Sequence, residues 1–539
     1  MKNFLLLVII LIAFSLRFYK LDAYPALNAD EAAIGYNAYS LLQTGKDEHG
    51  NPWPIHFQSF NDYKPGLYFY LVMPFVATLG LNEWSVRIPG ALLGVATVLV
   101  LYLLSKRLFS TPKWFPYLAA FFLAISPWHI HFSRGGWEVN VATFFITLGV
   151  YAFLRAETKS KWYFISLLSF VASLYTYHAA RVIVPVLGLV LLIGQFKKIM
   201  AHLPIFIVAA LLAFVITVPL IIDFTGSAGI SRATGVGLFA DPGPLSRINE
   251  QRGQHLNYIS LPAKLLHNKA VNYGLAFLDN YTSHFWGEFL FLSGDEIQRN
   301  RVPETGQLYL HDALFIIVGL LILFKANKNK LIFWWLLIAP IAASLTFQSP
   351  HALRAQNMVI PLVLLSALGA SYLIDELQKR KLKTNFHYTI YCFIFLFMAW
   401  NASRYFHMYW VHMAKEYTFS SQYGVKELAE YVKVNMSSYK RILITDRYDQ
   451  PYILMLFYLE YSPSKFQAEH SLTSRDQYGF STVREFDKFY FGSIDFDSAR
   501  PENPDSLLVG TDEEIPKEAN ITKKIFGSNG HLYFEAVSN

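Results

Sequence analysis

Val86-Arg87-Ile88-Pro89-Gly90-Ala91-Leu92-Leu93-Gly94-Val95-Ala96-Thr97-Val98-Leu99-Val100-Leu101-Tyr102-Leu103-Leu104, followed at once by Ser105-Lys106-Arg107, carries no charge between Arg87 and Lys106. At about 1.5 Å per helical residue, such a run crosses a hydrocarbon core of roughly 30 Å. Cations follow the last turn. Similar apolar runs recur at about 4–19, 115–128, 138–154, 162–178, 181–196, 203–222, 308–324, 331–347, 353–374 and 387–403, which makes about eleven spans. With 53% hydrophobic, 17% aromatic and only 16% charged residues in 539, a single water-soluble globule is excluded. The expected fold class is an α-helical polytopic membrane protein.

The formal charge of +7 raises the question of a nucleic-acid partner, and the position of the cations answers it. Lys106, Arg107, Lys113, Arg155, Lys159, Lys161, Lys197, Lys198, Lys325, Lys328, Lys330, Lys379, Arg380, Lys381 and Lys383 all fall in short turns. Against these fifteen the same turns hold Glu157, Asp375 and Glu376, an excess larger than that of the whole chain. The positive-inside rule accounts for the basicity and no nucleic acid is needed. Met1-Lys2 and the run from Phe4 read as an uncleaved first helix, because no small-residue cleavage site follows. With that N-terminus inside, every basic cluster lands on one side of the membrane. Residues 65–81 are apolar enough to span, but counting them would reverse all later loops, so they are expected as an interfacial or re-entrant helix. Cys392, the one cysteine, lies inside an apolar segment, so this chain alone builds neither a disulfide framework nor a thiolate cluster.

Two domains are expected: a transmembrane domain over 1–403 with outer loops 20–85 and 223–307, and an extracytoplasmic soluble α/β domain over 404–539. In the latter, Val425, Leu428, Ala429 and Val432 have helical spacing over 423–435, Arg441 to Thr445 reads as a buried strand, and 452–461 as a second helix. Further strands are expected near 506–510 and 531–537.

Asn28-Ala29-Asp30-Glu31 opens a helix that Gly45 closes. Asn28 with Glu31 fits a capping box and first-turn acids suit the helix dipole, which is the plain reading of both carboxylates. The sharper one makes Asp30 a general base just above the outer membrane surface. Lys64, in Asp62-Tyr63-Lys64-Pro65-Gly66, and Arg87 are either interfacial anchors or cations that hold a lipid-linked phosphate. Arg134 and Glu138 are four apart, as in an ordinary helix ion pair. His178 with Arg181, and His351 with Arg354, put further cations on the outer side, as an anionic headgroup site requires. His284 and Glu288 are four apart and could share a divalent metal, although no His-Glu-x-x-His motif supports them. His129 and His131 could form a second pair. Metal use stays open.

In order and in sidedness, Asp30-Glu31, Lys64-Pro65, Arg87-Ile88-Pro89-Gly90, Ser133-Arg134, the loop from His284 to Gly294-Asp295, and His351 to Arg354 resemble the GT-C glycosyltransferases of the protein O-mannosyltransferase family. The likeness is to bacterial members, which also resemble the aminoarabinose transferases that modify lipid A, and it covers roughly residues 1–375. It implies a GT-C fold in the cytoplasmic (inner) membrane and an inverting transfer of a sugar from a polyprenyl-phosphate carrier to a lipid, glycan or protein acceptor outside. Asp30 would be the catalytic base, with Glu31 beside it as a second catalytic residue. Lys64 would contact the donor phosphate, supported by Arg87, Arg134 and Arg354. Glu138 would be a second acid, with His178, Arg181, His284, Glu288 and His351 as further site candidates. Tyr63, rather than an acid, precedes Lys64, which departs from the metal-binding pattern of the aminoarabinose transferases. The main alternative is a polytopic lipid or sugar transporter or flippase. Such proteins place ionisable groups near the midplane, whereas these lie at the outer boundary.

Overall fold

The computed structural model describes every residue except 1, 61, 229–236, 327–329, 380–383, 421, 449 and 475–480. Lys328, Arg380, Lys381 and Lys383 of the basic turns lie outside the described residues. The chain is mostly helical, with a C-terminal sheet region. It divides into two compact units, one of Met1–Leu16, Leu93–Phe132 and Glu138–Phe406, the other of Arg17–Leu92, Ser133–Trp137 and His407–Asn539.

In the first unit helices form where apolar runs were read: Phe115–Ile125, Glu138–Ala156, Trp162–Leu174, Ala180–Gly194, Leu203–Asp223, Leu310–Ala326, Leu331–Ile338 continued by Ile341–Ser344, Val359–Lys379 and Thr384–His407. Lys2–Phe18 and Glu83–Leu108 each run across the division between the units. Every one of the eleven expected segments falls on a helix, and four are long and apolar enough to cross a membrane by length and composition. Their surroundings differ. Gln356–Lys379 is 83% buried over its most apolar stretch, whereas Leu203–Gly226 is 11% buried, so protein covers little of the latter's apolar surface. Leu310–Ala326 and Val359–Lys379 cross at their glycines. A Cβ at Gly319 would lie 2.1 Å from the Leu365 carbonyl oxygen and one at Gly369 1.9 Å from that of Phe315, so only glycine lets these backbones meet.

The second unit joins residues 17–92 and 133–137 to the C-terminal region. Strands β1 (His56–Ser59) and β2 (Asp62–Pro65) pair antiparallel, with Phe57 opposite Lys64. The helix Leu67–Leu79 follows, on the segment expected to be interfacial. Further on come β3 (Arg441–Ile444), β4 (Glu485–Phe486), β5 (Phe489–Phe491), β6 (Ser506–Gly510), β7 (Ile521–Phe526) and β8 (Leu532–Ser538), in the order β4-β5-β3-β6-β8-β7. β3 runs parallel to both β5 and β6, and the other pairs are antiparallel. The helices Val425–Asn435 and Pro451–Tyr458 were both expected; the first buries Val425, Leu428, Ala429 and Val432, the second seven of its residues. The compact units divide between Phe406 and His407, close to the change of composition at Ser403, and residues 17–92 and 133–137 group with the C-terminal region.

Candidate active site

Ala29–Thr44 starts on Asn28 with both halves of a capping box: the Asn28 side chain accepts from Glu31 N–H at 3.0 Å, and Glu31 Oε2 accepts from Asn28 N–H at 3.2 Å. Glu31 does more than cap. Arg87 donates to it through both Nε and Nη2 at 2.7 Å, and Gly136 N–H donates to Oε1 at 2.8 Å. The remaining Arg87 nitrogen, Nη1, donates to the Leu21 and Pro25 carbonyls at 2.8 and 2.9 Å. Arg87 is wholly buried and Glu31 is 1% exposed, so this is an interior bidentate pair with its lone pairs and donors satisfied. A Cβ at Gly136 would come within 2.9 Å of Val86 Cγ1 and 3.2 Å of Glu31 Cγ, which explains glycine there.

Asp30, one residue earlier, points elsewhere. Its Oδ1 accepts from Lys64 Nζ at 2.5 Å, with side chains 25% and 16% exposed respectively. Strand β2 carries Lys64 to this position, and its ammonium also lies 5.7 Å from the centre of the Phe60 ring. Adjacent acids, alike in sequence, thus separate into a saturated interior group and a water-reachable one facing a lysine.

Arg134 belongs to the same unit and is also fully buried. It donates to the carbonyls of Arg17, Tyr19, Lys20 and Tyr24 at 2.8–3.4 Å and to Tyr409 Oη at 3.0 Å, with its guanidinium 4.7 Å from the centre of the Trp410 ring. A cation over the last carbonyls of the Lys2–Phe18 helix and the turn after it is a C-terminal cap. For either buried arginine to reach a phosphate, these bonds would first have to break.

Sequence reasoning passed over Glu48, His49 and His470. Glu48 is wholly buried, with Oε1 accepting from Asn37 Nδ2 at 3.2 Å. His470 Nδ1 faces the Phe466 carbonyl at 2.7 Å and must donate, so His470 Nε2 accepts from His49 Nδ1 at 2.9 Å. That tautomer leaves His49 Nε2 a lone pair, 3.7 Å from Glu48 Oε1, an arrangement that suits a protonated carboxyl. Burial, the leading cause, pushes Glu48 up to about 8 despite Asn37 and Lys64, and pushes His49 down to about 3. Asp47 alongside is raised by burial as well. The only available signal was Lys46-Asp47-Glu48-His49, which looks like a solvated charge run. Against unfolded values of 4.5 for Glu48 and 6.5 for His49, Glu48's share of stability is lost as pH rises toward 8, while His49's share is gained up to 6.5. Between pH 6.5 and 8 the ionisation of Glu48 governs this cluster. Thermal unfolding of the purified protein across that range is expected to show a melting temperature that falls with pH, and a shallower fall in Glu48→Gln. Equal slopes would count against a neutral Glu48.

The other candidates sit in the first unit. His284 Nε2 accepts from His351 N–H at 3.2 Å and its Nδ1 donates to the Asn280 carbonyl at 2.7 Å, so both ring nitrogens are engaged, and burial lowers its pKa to about 4. Glu288 is exposed and bonded to Ser293 Oγ at 2.5 Å, so the His284–Glu288 pair is not assembled as metal ligands. His131 Nε2 lies 2.9 Å from the Arg299 carbonyl. Among the described residues no group of three or more His, Cys, Asp or Glu is arranged to hold a metal. Asp295 ties this loop to the next, accepting from Ala352 N–H at 2.6 Å and lying 3.7 Å from His351 Nδ1. Arg354 donates to Thr346 Oγ1 at 2.7 Å, and Arg181 Nη1 is 3.0 Å from His178 Nδ1. Glu138 is buried at the start of its helix.

Residues 63–222, less than half of the chain, match the family profile described as dolichyl-phosphate-mannose-protein mannosyltransferase. ArnT from Cupriavidus metallidurans, solved bound to undecaprenyl phosphate, aligns over 98% of this chain and 97% of its own at 13% identity and a TM-score of 0.53. The oligosaccharyltransferase AglB from Archaeoglobus fulgidus, solved with an inhibitory peptide and a dolichol-phosphate, aligns over 94% of this chain and 69% of its own at 14% identity and a TM-score of 0.53. For the apo form of the oligosaccharyltransferase from that organism the figures are 84%, 63%, 14% and 0.51. The present chain therefore spans under two thirds of one of these archaeal chains and little more of the other. No curated protein matches it. The fold is the one seen in ArnT and in the archaeal oligosaccharyltransferase. Residues 63–222 carry the mannosyltransferase family's sequence pattern.

Proposed function

We propose that this protein moves a sugar from a polyprenyl-phosphate donor to an acceptor hydroxyl on the extracytoplasmic side of the inner membrane, with inversion at the anomeric carbon. Asp30 is the base. The acceptor oxygen, losing its proton to the Asp30 carboxylate, bonds to the anomeric carbon while the bond from that carbon to the phosphate oxygen breaks, and the lipid phosphate leaves with the electron pair. The observation that carries this reading is the contact of Asp30 with Lys64 at 2.5 Å, both partly open to water, beside a Glu31 already saturated by Arg87. An arriving donor phosphate competes with Asp30 for the Lys64 ammonium, and Asp30 gains basicity as that counter-charge leaves. Base activation is thereby coupled to donor occupancy.

In this scheme Glu31 and Arg87 are positioning residues that fix the start of the Asp30 helix, and Arg134 holds the turn that precedes it. Arg354, Arg181, His178, His351 and Glu138 remain candidates for donor or acceptor contact, and His284 and Asp295 hold His351 in place. Eleven spans, an inside N-terminus and an outside C-terminal region complete the proposal, supported by the turn charges and by ArnT having been solved with undecaprenyl phosphate. Sugar and acceptor are left to experiment, as is any divalent metal. The test is Lys64→Ala in proteoliposomes with labelled polyprenyl-phosphate sugars. Donor KM should rise about tenfold or more with acceptor KM little changed. Equal effects on both substrates would leave Lys64 an interfacial anchor.

A further inference from the structure

Between the helices Leu203–Asp223 and Leu310–Ala326 the large apolar side chains of one outer segment point away from the protein. Over 256–266, Leu256, Ile259, Leu261, Leu265 and Leu266 are 56–112% exposed, while the smaller Ala263 is buried. A loop meant for water places its leucines the other way round. The pattern continues in the next helix, Lys269–Ser283, where Leu275 and Leu278 are more than half exposed at helical spacing. That helix is tied to the rest of the unit near its C-terminal end, through Asn280 Nδ2 to the Thr346 carbonyl at 2.9 Å and Tyr281 Oη to the Leu337 carbonyl at 2.8 Å. Charge agrees: residues 243–269 contain Arg247, Arg252, Lys264 and Lys269 against Glu250 alone, on a side where the positive-inside rule disfavours cations. The segment also follows Leu203–Asp223, the apolar helix that the protein itself leaves largely uncovered.

We propose that residues 243–278 form a membrane-docking surface, seating Leu256, Ile259, Leu261, Leu265 and Leu266 among acyl chains of the outer leaflet and setting Arg247, Arg252, Lys264 and Lys269 against anionic phospholipid headgroups. Amphipathic segments bind this way when exposed apolar area and cationic charge coincide. The surface rests on the membrane reading of the chain and is independent of the role given to Asp30.

Nitroxide labels at single cysteines replacing Leu261, Leu265 or Glu250 test it in the full-length Cys392→Ser protein. Each is reconstituted into phosphatidylcholine vesicles with and without phosphatidylglycerol. At 261 and 265 the ratio of accessibility to lipid-dissolved oxygen over a water-soluble nickel complex should exceed that at 250 about tenfold. It should rise further with phosphatidylglycerol, and Lys264→Gln with Lys269→Gln should erase that rise. Ratios at 261 matching 250 would overturn the proposal. So would a label at 261 shielded from both reagents, which would mean that protein covers this face. Insertion indifferent to phosphatidylglycerol would overturn the headgroup contacts.

Discussion

Asp30→Asn lowers the rate of sugar transfer by about 10²–10⁴-fold, the usual contribution of a positioned general base. Donor binding survives the change, because the side-chain amide has the shape of the carboxylate it replaces and, being neutral, no longer competes with the phosphate for Lys64. Stability survives too: Asp30 is a quarter exposed, and the Asn28–Glu31 capping box that starts its helix does not involve its side chain. A fall in kcat with donor KM unchanged or lower is therefore the signature, measured by transfer of label from a polyprenyl-phosphate sugar. Unchanged turnover would remove Asp30 from the chemistry and return it to its plain role as a first-turn acid.

Arg87→Ala has the second largest effect, on folding rather than on turnover. It leaves Glu31 ionised in the interior and frees the Leu21 and Pro25 carbonyls of a donor. Breaking such a pair from one side costs about 3–5 kcal/mol, a large share of a typical stability of about 5–15 kcal/mol. The variant should accumulate poorly and run as aggregate on size exclusion in detergent. Arg87→Lys should rescue little, since a lysine cannot supply the two parallel bonds to the carboxylate. Glu31→Gln with Arg87→Met should recover much of the fold, as the buried charge goes with its partner. A well-folded Arg87→Ala whose one defect is weak donor binding would instead make Arg87 a phosphate ligand.

That contrast separates what the sequence made legible from what it did not. Helices were legible because apolar runs of membrane length and basic turns are local signals; so was the capping box, since Asn28 and Glu31 are three apart. The partition of the two neighbouring acids was not. Arg87 and Arg134 belong to the same compact unit as Lys64, and nothing local in the sequence says which cations are buried. Their partners, the Gly136 amide for Glu31 and Tyr409 for Arg134, lie 105 and 275 residues away. The C-terminal sheet was legible in its buried strands β3, β6 and β8. β4 and β5 are only two and three residues long, and β7 carries Lys523 and Lys524 on an edge, where charge discourages further pairing but hides the strand. Glu48 was missed because a buried acid among polar neighbours reads as surface until its surroundings are known.

The most direct measurement is transfer of radiolabel from a panel of polyprenyl-phosphate sugars by the purified protein in proteoliposomes, run beside Asp30→Asn. The account predicts transfer with at least one donor, in the wild type only, with both proteins binding that donor. Donor binding without transfer by the wild type, or equal transfer by both, would contradict it.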